Sequence, residues 1–99
     1  MPSGIILTFD NGVTESQYLA VNKTLGVDMV AGTGDFPDGL IRHTAGPTPT
    51  GGWIVTEVWE SEAHQGRFME GRLGEALQKN GLPAPASVVW YEVVGDTTP

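Results

Sequence analysis

Apolar positions in this chain follow two periods, one of strands and one of helices. Residues 53–59 are aromatic or β-branched except at Glu57, the composition of a strand. Alternation puts Trp53, Val55, Glu57 and Trp59 on one face and Ile54, Thr56 and Val58 on the other. Both faces are largely apolar, so both need cover. Ser61 then offers a helix N-cap, with Glu62 in the first turn, where the helix dipole favours a negative charge. This helix runs to about Asn80, with Gly81 just past its end and Pro83 beyond. Phe68, Met69, Leu73, Ala76 and Leu77 supply its buried stripe. Gly66, Gly71 and Gly74 conflict with an unbroken helix, since each costs ~1 kcal/mol relative to Ala. They mark a bend, or a place where something packs closely.

The same periods place the remaining elements. Ile5 to Phe9 reads as a first strand, closed by the turn signal Asp10-Asn11-Gly12. Thr14 and Gln17 have capping-box spacing, Tyr18, Val21 and Leu25 share one helical face, and Gly26 ends a helix over 14–25. Residues 26–39 are rich in Gly, Asp and Pro. Their acidic neighbours argue against a phosphate cradle, so a plain loop is expected, with a cover over a pocket as the second possibility and Phe36 as its apolar contact. Leu40 to Ala45 reads as a second strand that turns through Gly46 to Gly51 into the Trp53 strand, and Ser87 to Val94 as the last. The order strand, helix, strand, strand, helix, strand predicts an α+β fold of the ferredoxin-like split βαβ type: a four-stranded antiparallel sheet with two helices on one face. The chain, 1–99, forms one domain. Its other sheet face, apolar on the third and fourth strands, calls for a second copy packed sheet to sheet.

Composition narrows the chemistry. Five Lys plus Arg stand against twelve Asp plus Glu, a formal charge of −7, which disfavours nucleic acid and anionic membranes as partners. No cysteine is present, so disulfides, thiolate catalysis and cysteine-held metals are excluded. The start, Met1-Pro2-Ser3-Gly4, lacks the features of a signal peptide, and no apolar run reaches the ~20 residues of a membrane span. A cytoplasmic protein is the expectation.

Three stretches carry a resemblance: Gly39-Leu40-Ile41-x-His43-x-Ala45-Gly46, then Gly52-Trp53-x-Val55-x-Glu57-Val58-Trp59-Glu60-Ser61-x-Ala63, then Phe68 with Arg72-Leu73. Together they resemble the dimeric α+β barrel superfamily, and within it the small antibiotic-biosynthesis-monooxygenase-like proteins. The resemblance covers almost the whole chain. It implies a homodimer, a pocket between sheet and helices in each protomer, and cofactor-free oxygenation of a small aromatic or polyketide-type substrate. Haem-degrading members are matched at Trp59 and Ser61. The histidine that holds their iron, about ten residues after that tryptophan, is replaced here by Met69, and His64 comes more than a turn too early.

Two residues are candidates for catalysis. His43 sits mid-strand; a two-residue hairpin register puts it on the face of Val55 and Glu57, and a one-residue slip would put it on the other side. An imidazole changes charge near working pH, so His43 is either a general base for a phenol or enol or a hydrogen-bonded core histidine. Glu57 either orients that imidazole and accepts a proton or pairs with Arg42, Arg67 or Arg72. Trp53, Val55, Trp59, His64, Phe68 and Phe36 are the candidate substrate contacts; the tryptophans are equally suited to the core, and His64 to the rim. Two histidines on separate elements, without a third ligand, give no metal site. No cofactor is expected. Proton removal in an apolar pocket serves either an oxygenase or a polyketide cyclase or isomerase. A non-catalytic ligand-binding dimer is the third reading.

Overall fold

The computed structural model describes residues 1–10 and 12–99. Asn11, the middle of the first turn signal, lies outside the described residues. Strand β1 spans Ser3–Phe9, followed by α1 (Glu15–Leu25). Two short strands, β2 (Val27–Asp28) and β3 (Thr33–Gly34), come next, then β4 (Leu40–Pro47) and β5 (Trp53–Trp59). The second helical stretch comprises α2 (Glu62–Phe68), a π turn over Met69–Leu73 and α3 (Gly74–Lys79), before β6 (Ser87–Glu92) closes the sheet.

The main sheet has four strands in the order β4-β5-β1-β6, with every neighbouring pair antiparallel. Its inner face carries Ile5, Leu7, Phe9, Trp53, Val55 and Trp59. Val21 and Leu25 of α1, Phe68 of α2, and Ala76 and Leu77 of α3 meet them in one apolar cluster. Helix α1 starts where the sequence puts it. The Thr14 hydroxyl accepts from the Gln17 N–H while the Gln17 side chain accepts from the Thr14 N–H, and Gly26 closes the helix at φ 79°. The outer face carries Ile6, Ile54, Val58, Val89 and Tyr91, interleaved with threonines and Arg42. There the Tyr91 ring lies flat over Gly4, in space that a Cβ would occupy. Among the described residues no helix is long and apolar enough to cross a membrane.

Three elements depart from the sequence reading. The segment 26–39 is not a plain loop: β2 and β3 pair as a two-residue ladder, which the glycines at both ends permit. Gly34 adopts φ 116°, and a Cβ there would run into the Gly26 carbonyl. The second helix is not continuous. At Gly74 the N–H reaches the Met69 carbonyl, five residues back, which widens the turn. A Cβ on Gly74 would approach that same carbonyl to 2.8 Å, so the glycine is what lets the wide turn form. The last strand ends at Glu92 rather than Val94; Val93 turns inward and its N–H donates to the Pro2 carbonyl.

Candidate active site

The strand register decides where His43 points. His43 pairs with Glu57 across β4 and β5, so their side chains leave the same face side by side. The register slips between Leu40 and Arg42, leaving Ile41 as an extra residue. Leu40 opposes Trp59 and His43 opposes Glu57, so both face the helices although they are three residues apart. Without that bulge, plain alternation from Leu40 would turn His43 outward.

From this register grows a chain of hydrogen bonds. The buried Trp59 indole Nε1–H donates to Glu57 Oε1 at 3.0 Å. Glu57 Oε2 lies 2.8 Å from His43 Nδ1, and the side chains are only 5% and 11% exposed. His43 Nε2 lies 2.6 Å from the Tyr18 hydroxyl. A carboxylate only accepts, so Nδ1 carries a proton, and in the neutral imidazole Nε2 then accepts from the tyrosine O–H. Burial raises the Tyr18 hydroxyl above the usual tyrosine range; the nearby Asn22 amide opposes this and the Glu57 charge adds to it. Tyr18 is thus a neutral hydroxyl at ordinary pH, able to pass a proton but not to hold a negative charge there.

This chain borders an interior cavity of about 60 Å³ between the sheet and the helices. Tyr18, Asn22, His43, Trp53 and Glu57 line it, and the remaining wall, including Phe9, Val55, Phe68 and Leu77, is apolar apart from backbone. His43 and Met29 also line two outer clefts, of about 270 Å³ and 180 Å³. They therefore form the partition between the interior and the surface. Arg72 secures the segment that carries Met29. Its guanidinium donates to the Leu25 carbonyl at 3.0 Å and the Asp35 carbonyl at 2.7 Å, and lies 5.8 Å from the Phe68 ring centre.

The structure brings together His43, Glu57, Trp53, Val55 and Phe68 around one cavity. Phe36 stands apart, in the larger outer cleft with Met29. Trp59 does not reach the cavity: it is fully buried beneath it, tilted against Phe68 and bonded to Glu57. His64 serves the start of α2, with Nδ1 at 2.7 Å from the Ser61 hydroxyl and its ring against Gly39. Arg42 pairs with Asp96 and Arg72 with Asp35, so neither takes Glu57. Tyr18, Asn22 and Met29 are site residues that sequence reasoning did not single out. Tyr18 and Asn22, four apart on the buried stripe of α1, were the available signal: a hydroxyl and an amide on a face otherwise reserved for apolar groups. Among the described residues no group of three or more His, Cys, Asp or Glu is placed to hold a metal ion.

Comparison with known proteins adds the fold's relatives. No family model and no curated protein matches the sequence. Solved structures do match in shape. A candidate antibiotic biosynthesis monooxygenase from Chloroflexus aurantiacus superposes with a TM-score of 0.67 at 15% identity, covering 99% of this chain and 98% of its own. The chain has the fold of the antibiotic-biosynthesis-monooxygenase-like α+β proteins. SnoaB from Streptomyces nogalater, a cofactor-independent oxygenase, superposes at a TM-score of 0.61 and 12% identity over 99% of this chain and 97% of that one. A protein of unknown function from Nitrosomonas europaea gives 0.65 and 15% over 99% and 94%. At such identities the likeness is one of fold, and the chemistry rests on this chain's own residues.

Proposed function

We propose that the protein is a cofactor-independent monooxygenase-like enzyme that takes a proton from a small phenol or enol of aromatic or polyketide type. The observation that carries this reading is the Tyr18–His43–Glu57 chain ending in an apolar cavity. His43 Nε2 is covered by the Tyr18 hydroxyl, so the substrate proton passes to the tyrosine oxygen as the tyrosine proton passes to His43. Glu57 holds the imidazole in the accepting tautomer and offsets the positive charge that develops. Trp59 holds Glu57. The resulting electron-rich anion gives an electron to dioxygen, and recombination yields a hydroperoxide. Loss of water then leaves a carbonyl where a CH₂ stood, so one oxygen atom enters the product and the other leaves as water. The water-poor cavity protects these intermediates.

The cavity is smaller than the roughly 150 Å³ of an engineered cavity that admits benzene. Substrate entry therefore requires movement of Met29, an unbranched and adaptable side chain on the partition. SnoaB, a cofactor-independent oxygenase of the same fold, supports the oxygenase reading. The chain works as one domain in a cytoplasmic homodimer. Its outer sheet face supports the dimer: Val89 and Tyr91 are about half exposed there, beside Ile6, Ile54 and Val58.

Deuterium exchange at C2 of 1,3-cyclohexanedione tests the proton step, and oxygen uptake with a panel of small phenols tests the outcome. Wild type accelerates exchange; His43→Gln lowers the rate ~10²-fold or more, and Tyr18→Phe lowers it as well. Exchange without oxygen uptake selects a polyketide cyclase or isomerase using the same relay. No exchange and no turnover of any phenol, with ligand affinity unchanged in His43→Ala, leaves a ligand-binding dimer and sinks the enzyme reading.

A further inference from the structure

Three buried side-chain donors lack a hydrogen-bond partner among the described residues: Asn22 Nδ2, Trp53 Nε1 and Gln65 Nε2. Gln65 lies away from the cavity, but Asn22 and Trp53 both line it. They are 5% and 4% exposed. Both also flank Tyr18. The Trp53 ring centre lies 5.1 Å from that of Tyr18, and the Asn22 amide is close enough to the hydroxyl to favour its ionisation. An unpaired buried donor keeps its full desolvation cost, so two on one mostly apolar wall are a standing penalty. The carboxylate in that wall is already engaged, since Trp59 and His43 take the two Glu57 oxygens.

We propose that Asn22 and Trp53 form a subsite for one ligand oxygen, and that its ligand is a single-ring ketone, enolone or phenol. The oxygen accepts from Asn22 Nδ2 and Trp53 Nε1, and the ring occupies the apolar remainder beside Val55 and Phe68. The size of the interior, about 60 Å³, sets the limit of one ring, and even that ring requires Met29 to yield. As the proton leaves, charge accumulates on this oxygen, and two fixed donors in a water-poor site stabilise it more than water does. The proposal rests on the cavity being the ligand site of the function above, but the donors act whether or not the relay moves a proton.

A carbonyl probe without a readily removed proton separates the two ideas. Carbonyl-¹³C cyclohexanone and its isostere methylenecyclohexane are titrated into the full chain and followed by NMR. The ketone is expected to bind at least tenfold more tightly than the alkene, with its carbonyl resonance moved downfield as hydrogen bonding requires. Asn22→Leu and Trp53→Phe each remove a large part of both effects, whereas His43→Gln leaves the carbonyl shift in place. Equal binding of ketone and alkene, absence of ketone binding at millimolar concentration, or a resonance indifferent to both substitutions overturns the subsite. Those results would show that water alone satisfies the two donors. A carbonyl shift that depends on Asn22 and Trp53, without deuterium exchange in the dione assay, overturns the relay and keeps the subsite.

Discussion

Tyr18 links the stability of this protein to its chemistry. Burial holds its proton more tightly in the folded chain than in the unfolded one. The stability it contributes is therefore complete below the unfolded tyrosine value of about 10 and is lost as pH rises through the higher folded value. Denaturant melts between pH 8 and 11 should show wild type losing more stability than Tyr18→Phe. Parallel decline of the two would place the tyrosine in water. At this scale the sequence was partly readable. Hairpin counting offered a register in which His43 and Glu57 share a face, but a one-residue slip would have turned His43 outward, and the strand pairing in the structure decides between them. Their connection to Tyr18 was not, since 25 residues separate Tyr18 from His43 and only the packing of α1 on the sheet joins them. Trp59 illustrates the converse: alternation gives the correct face, but not that α2 seals the indole beneath the cavity.

Among the elements, the second helical stretch carries the clearest record of its constraints. Three glycines signalled trouble in a helix otherwise well patterned, and the structure separates their roles. Gly71 and Gly66 have open space where a Cβ would stand, whereas a Cβ on Gly74 meets the Met69 carbonyl. Gly71→Ala should raise stability by up to ~1 kcal/mol, through helix propensity alone. Gly74→Ala should lower stability, because it must close the π turn or push the carbonyl aside. Urea unfolding of the two variants checks the opposite signs, and stabilisation by both would show that the turn is not held by close contact. The turn's spacing was not legible, because an extra residue per turn depends on which carbonyl is crowded. The paired strands in 26–39 were hidden for another reason: a ladder of two residues per strand has no period to detect.

At the scale of the whole molecule, the order of strands and helices along the chain and the two-faced sheet were legible in the hydrophobic pattern, and the structure bears out the α+β split-βαβ reading. The outer face leads to a prediction about assembly. Sedimentation at micromolar concentration should give a species of two chains, and Val89→Lys with Tyr91→Lys should convert it to single chains without loss of fold by circular dichroism. A wild-type monomer would leave that sheet face without its expected cover. The interior makes the stronger prediction, because relay and partition meet at His43. Nitrogen-15 NMR of that imidazole, with and without 4-nitrophenol, reads it directly. A protonated Nδ1 and an unprotonated Nε2 are expected in the free protein, with both nitrogens protonated once the phenol is bound. An imidazole whose nitrogens are unchanged under saturating phenol would contradict it.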